Sequence, residues 1–134
     1  MNSDDLLARA MDCREAAYAV YSKFAVGAAI ETASGKIFAG CNVENLSFGL
    51  TICAERSAVF AAIAAGERDF VRIVIVSDSR EPVSPCGACR QVLAEFSAEM
   101  EVRCVNLQGD EFRARLDELL PRAKVGILDT SCST

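Results

Sequence analysis

Hydrophobic and polar positions alternate with two different periods along this chain, and the switches between them lay out its elements. Leu6, Leu7, Ala10, Met11, Ala17 and Val20 recur at near-helical spacing after the capping candidate Ser3, which predicts an amphipathic helix over residues 4–20 packed on a sheet. Residues 25–31 and 36–41 are short apolar stretches on either side of Ala33-Ser34-Gly35, the pattern of a β-hairpin. Residues 53–65 are dense in strong helix formers and stop at Gly66, as a buried helix with a C-terminal glycine does. Residues 71–77 read VRIVIVS, β-branched and continuous enough for a central strand, and a polar loop follows over 78–85. A further helix is predicted over 87–97. Residues 101–107 and 111–115 then form two strands about Gln108-Gly109-Asp110, with a helical turn at 116–120 before Pro121. This order predicts the α/β class: one domain over residues 1–134, with a mixed five-stranded sheet carrying helices on its faces. The tail 122–134 gives no clear signal.

Composition narrows the partners. The longest apolar run, near residues 57–65, is alanine-rich and interrupted by Ser57, well short of a membrane span. The opening Met-Asn-Ser-Asp-Asp lacks the basic start and apolar stretch of a secretory signal, so a cytoplasmic location is expected. A formal net charge of -5 disfavours a polynucleotide partner, because affinity for phosphate backbones rests on clustered Lys and Arg. Neither nucleic acid nor membrane is expected to bind, and small molecules are the expected partners. Seven cysteines is an odd number without a secretory signal, which fits a disulfide framework poorly and points to a metal or to packing. Histidine is absent, so the commonest general base and the commonest zinc ligand are both missing. Chemistry must rest on carboxylates, thiols or a metal.

Pro85-Cys86-Gly87-Ala88-Cys89-Arg90 puts two thiols three residues apart where a loop becomes a helix, and Cys53 opens the other buried helix. Helix N-termini carry partial positive charge that stabilises thiolates, so Cys53, Cys86 and Cys89 form a candidate zinc cup. Three protein ligands leave a fourth position open, as in catalytic sites. The Cys-x-x-Cys pair by itself is equally open to a redox or chance reading. Cys13, Cys41, Cys104 and Cys132 fall outside the pattern. Cys41 and Cys104 sit in predicted strands as packing residues, and Cys41 is the one competing fourth ligand. Glu55 stands two residues from Cys53 on an otherwise apolar helix, where a carboxylate is costly to bury without a partner. It is therefore the candidate proton carrier beside a metal-activated water. Arg56, three residues from Cys53, can donate to the thiolates. A solvated Glu55 and an Arg56 in a surface ion pair are the plainer alternatives.

Cys-Ala-Glu-Arg at 53–56 and Pro-Cys-Gly-Ala-Cys-Arg-Gln at 85–91 resemble the small cytidine deaminases, and carry the established zinc-deaminase signature of ligand-x-Glu with Pro-Cys-x-x-Cys. Residues 21–29 (YSKFAVGAA) and 40–45 (GCNVEN) match the same family, so the resemblance covers roughly residues 15–121. It implies one zinc per chain and hydrolytic deamination of cytidine and deoxycytidine at C4. Glu55 would protonate N3 and then the departing ammonia, and the product serves pyrimidine salvage. It further implies Phe24 against the pyrimidine face, Asn42 and Glu44 on the ribose hydroxyls, backbone groups of Ala54 and Cys86 at the base edge, and a homotetramer. Two departures stand out: Phe48 where tyrosine is usual, and Lys124 where an aromatic usually reaches a neighbouring site. The latter predicts a more open pocket that tolerates modified cytidines. A blasticidin-type deaminase, a nucleic-acid-editing deaminase and a structural zinc domain are the rival readings.

Overall fold

The computed structural model of the chain describes residues 3–124. Strands β1 (Val26–Thr32) and β2 (Ile37–Cys41) form the expected hairpin, turning at Gly35 with φ 90°, a left-handed conformation that glycine adopts without strain. Strand β3 (Phe70–Ser77) pairs antiparallel with β1 and parallel with β4 (Glu101–Asn106), and β5 (Glu111–Arg115) closes the sheet in the order β2-β1-β3-β4-β5. The unbroken apolar run at residues 73–76 of β3 follows from burial on both faces of the sheet. Ile73 and Ile75 join Ala28, Ile30, Val102 and Cys104 under α2 (Ala54–Ala64) and α3 (Gly87–Phe96). Val74 and Val76 join Ala29 and Val105 under Leu6 and Ala10 of α1 (Ser3–Arg14). The short α4 (Leu116–Leu119) follows β5 directly.

Helix α1 ends at Arg14, not at residue 20. The helical periodicity of Ala17 and Val20 is overridden by a pairing remote in sequence: Tyr18 N–H donates to Asn42 O at 2.9 Å and Glu44 N–H to Tyr18 O at 2.8 Å. Val43 is bridged on its other side to Ile52, with N–H to O distances of 2.9 and 3.0 Å. Residues 18, 43 and 52 thus make a small secondary ladder, which ties the chain leaving α1 to the chain arriving at Cys53. A single 3-10 turn at Phe48–Leu50 lies within that loop, in a stretch for which the sequence pattern predicts no element.

Helix α2 lies almost in backbone contact with β2. A Cβ at Gly40 would stand 2.3 Å from the Ala58 nitrogen and 2.7 Å from the Ser57 Cβ, so only glycine allows this approach. Gly40→Ala must lift the helix that carries Cys53 and Glu55. The expected cost is about 1–3 kcal/mol, the usual range for overpacking. Scanning calorimetry should record a lowered Tm, and an unchanged Tm would show that the contact is softer than its geometry.

Candidate active site

Two helix starts converge on one point. Cys53 is the N-cap residue of α2, with φ -73° and ψ 157°, and Cys86 is the N-cap residue of α3, with φ -67° and ψ 168°. Their carbonyls accept the first helical bonds, from Ser57 N–H at 3.1 Å and Arg90 N–H at 2.9 Å. Neither thiol caps its own helix, so both sulfurs are left to face outward from positively polarised helix ends. Cys89, in the first turn of α3, completes the group, and the ligand atoms of Cys53, Cys86 and Cys89 all lie within 4.8 Å of one another. Cys89 is buried, Cys53 half-buried and Cys86 exposed, which makes a cup closed below and open above.

The electrostatics are those of a site prepared for a cation. The Cys89 thiol donates to Cys53 and, with Arg56 and Cys86, holds the Cys53 thiol down at about 5 against its burial. The Cys89 thiol is correspondingly pushed up, by that hydrogen bond first and by burial second. Arg56 Nη2 stands 3.4 Å from Cys53 Sγ, and its guanidinium is held charged chiefly by this contact. The Arg56 Nε is buried with no hydrogen-bond partner among the described residues. Glu55 is only 6% exposed. Burial pushes its carboxyl up to about 7, with the negative charge of Cys53 adding to the rise and its own backbone N–H opposing it. Cys104, raised to about 12 by burial and then by Glu55, forms part of the apolar floor beneath that carboxyl.

The donor set fits zinc. Thiolates bound at about 2.3 Å stand roughly 3.8 Å apart around a tetrahedral ion, and Cys53 Sγ and Cys86 Sγ are separated by 3.9 Å. Cys41 is not a fourth ligand. It pairs with Gly27 at the end of β2, on the sheet face covered by α1, where its thiol meets that of Cys13. Among the described residues the cluster therefore holds three thiols and leaves a position free. Cys132 lies outside the described residues.

A second group assembles on the other side of the Val43 ladder. Asn42 Oδ1 accepts from Val26 N–H at 2.9 Å and its Nδ2 donates to Phe24 O at 2.8 Å, so the amide acts as an extra strand rung. Phe24 packs half-buried against the cluster that contains Ala54. Glu44 Oε1 accepts from Tyr21 N–H at 2.9 Å and Ser22 N–H at 3.1 Å, and Glu44 Oε2 accepts from Ser22 Oγ. These bonds, that of the Ser22 hydroxyl foremost, hold the Glu44 carboxyl below the usual range. A cavity of about 420 Å³ is lined by Tyr21, Ser22, Glu44, Phe48 and Thr51, with the Tyr21 and Phe48 rings edge-to-face at 5.9 Å. The three thiols are not among its lining residues, although Thr51 stands two residues before Cys53.

Arg90 is a residue whose part the motif alone conceals. Its guanidinium donates to Pro85 O at 2.7 Å, Leu119 O at 2.9 Å and Ser84 Oγ at 3.0 Å, pinning the loop that delivers Cys86 to the end of α4. The hint in the sequence is an arginine directly beside a buried thiol, where a cation needs partners. Lys124 reaches Glu95 O at the C-terminal end of α3 at 3.5 Å, and residues 125–134 lie outside the described residues.

Comparison with known proteins agrees with this geometry. The family described as the cytidine and deoxycytidylate deaminase zinc-binding region matches residues 1–105. A cytidine deaminase of Halalkalibacterium halodurans is 49% identical over 124 residues, 92% of this chain and 94% of that protein. The crystal structure of cytidine deaminase from Burkholderia pseudomallei superposes with a TM-score of 0.87 at 49% identity, covering 90% of this chain and 98% of that one. A blasticidin-S deaminase of Bacillus cereus is more distant, 34% identical over 108 residues, 75% of this chain and 76% of that protein.

Proposed function

The chain belongs to the cytidine and deoxycytidylate deaminase family, and from that membership we propose that it hydrolyses the C4 amino group of free cytidine and deoxycytidine, releasing ammonia and the uridine analogue. The observation that carries the reading is the convergence of Cys53, Cys86 and Cys89 beside the buried carboxylate of Glu55. Identity to a cytidine deaminase exceeds that to the blasticidin-S deaminase, which favours the nucleoside reading over its nearest rival. The net charge of -5 disfavours a polynucleotide substrate.

Cys53, Cys86 and Cys89 would hold one zinc ion, with Arg56 donating to the Cys53 sulfur. When bound, zinc supplies the Lewis acidity that brings the pKa of a water near neutrality. Glu55 takes one proton from the attacking water and delivers it to ring N3, then takes the second from the hydroxyl now on C4 and passes it to the amino group, which leaves as ammonia as the C4–N bond breaks and the C4 carbonyl forms. Backbone groups of Ala54 and Cys86 meet the base edge, Phe24 covers the pyrimidine face, and Asn42 and Glu44 bind the ribose hydroxyls. The Glu44 carboxylate beside the sugar repels a 5′-phosphate and so selects free nucleosides over nucleotides.

The segment next to the cavity supports self-association. Leu46, Phe48 and Leu50 are 77%, 73% and 66% exposed, beside the half-exposed Tyr18 and Tyr21. A surface of this kind marks an interface, and its occupant in this reading is a further copy of the chain in a homotetramer. The enzyme works in the cytoplasm, in pyrimidine salvage, and among the described residues no helix is long and apolar enough to cross a membrane.

Ultraviolet monitoring of cytidine and deoxycytidine with the purified, zinc-loaded protein should record conversion of both, and turnover of neither would overturn the assignment. Sedimentation equilibrium should return four times the 14.4 kDa chain mass, whereas a monomer would reject the tetramer.

A further inference from the structure

We propose that Ser22 is a positioning residue of the nucleoside site, whose hydroxyl couples Glu44 to Phe24; the inference rests on the reading of those two as sugar and base contacts. Ser22 Oγ donates to Glu44 Oε2 and accepts from Phe24 N–H at 3.0 Å. One hydroxyl therefore joins the carboxylate on the sugar side to the backbone of the aromatic on the base side.

The turn it spans does not hold itself. Lys23 between them has φ 63°, a left-handed conformation that non-glycine residues adopt at a cost of order 1 kcal/mol or more unless surrounding bonds enforce it. Those bonds are Lys23 N–H to Ala19 O at 2.9 Å, the two backbone N–H groups of Tyr21 and Ser22 on Glu44 Oε1, and the Ser22 hydroxyl on both sides of Lys23.

Counting acceptors gives the hydroxyl a second task. An ionised carboxylate offers about four lone-pair sites. Among the described residues Glu44 uses two on Oε1 and one on Oε2, the latter filled by Ser22. The remaining acceptor site on Oε2 belongs to a carboxylate whose rotation Ser22 has fixed, in a residue that lines the cavity. A ribose hydroxyl thus meets an acceptor already oriented, and binding does not have to order it.

The test compares Ser22→Ala, Ser22→Thr, Glu44→Gln and the double variant Ser22→Ala/Glu44→Gln in the zinc-loaded protein, with cytidine as substrate. Hydrogen bonds to a charged group are worth enough to change affinity about tenfold or more. Ser22→Ala should therefore raise KM by about that factor and leave kcat within about twofold, with zinc content unchanged. Ser22→Thr, which keeps the hydroxyl, should restore KM. Adding Ser22→Ala to Glu44→Gln should raise KM little further, because coupled residues are not additive. An unchanged KM in Ser22→Ala, or fully additive effects in the double variant, would overturn the coupling. A Glu44→Gln protein with normal KM would instead remove Glu44 as the sugar ligand, a failure of the parent reading that the same data set separates from the first.

Discussion

Glu55→Gln is expected to keep its zinc and its affinity for cytidine while kcat falls by about 10²- to 10⁴-fold, the usual contribution of a positioned proton carrier. The substitution is nearly isosteric and the site is tight: Glu55 is buried at the first turn of α2 over the floor that includes Cys104. A glutamine fills the same space and removes only the capacity to take up and return a proton. The split between kcat and KM is therefore the diagnostic measurement. A loss shared equally by binding would indicate that the carboxylate serves to hold substrate, and near-normal kcat in a folded variant would remove Glu55 from the chemistry.

The second large effect concerns the metal. Cys89→Ala deletes the buried member of the three-thiol cluster, and two remaining thiolates cannot make a closed set of three ligands around zinc. Elemental analysis should find well below one zinc per chain, and deamination should be lost with it. The same loss is expected for Cys53→Ala and Cys86→Ala. Cys13→Ser is the control: its thiol lies against Cys41 on the face covered by α1, remote from the cup, and full zinc and activity are expected. Dialysis of the parent protein against a chelator should abolish turnover, and added zinc should restore it. Stoichiometric zinc in Cys89→Ala would show that the ligand set is drawn wrongly.

Much of this molecule is written locally in its sequence. Strand β3 follows from its β-branched run, and the two hairpins from short apolar or alternating stretches on either side of Gly35 and Gly109, both of which adopt the positive φ their turns require. Cys53-Ala-Glu-Arg and Pro-Cys-Gly-Ala-Cys name the metal cluster because each motif lies at one helix start, and the spacing within one turn determines which side chains share a face. Neighbours along the chain are enough to nominate each motif, whereas the meeting of the two helix starts is a tertiary fact.

What the sequence leaves open depends on pairs of segments far apart. The end of α1 at Arg14 is decided by Tyr18 meeting Asn42 and Glu44, a tertiary hydrogen-bonding alternative that outweighs a helical pattern continuing to Val20. Cys41 is excluded from the metal by strand parity: its register opposite Gly27 turns its thiol to the α1 face, and a shift of one residue would have turned it to the other. Asn42 and Glu44 likewise turn out to be clamps on residues 21–26, because only the folded chain brings those backbone N–H groups to their side chains. Sequence alone determined the elements and the metal-binding chemistry, since periodicity, turn residues and cysteine spacing act over a few residues. The tertiary structure alone decided where α1 stops, which thiols converge and which carboxylate clamps the turn before Phe24, since each depends on partners about 20 or more residues away in the chain.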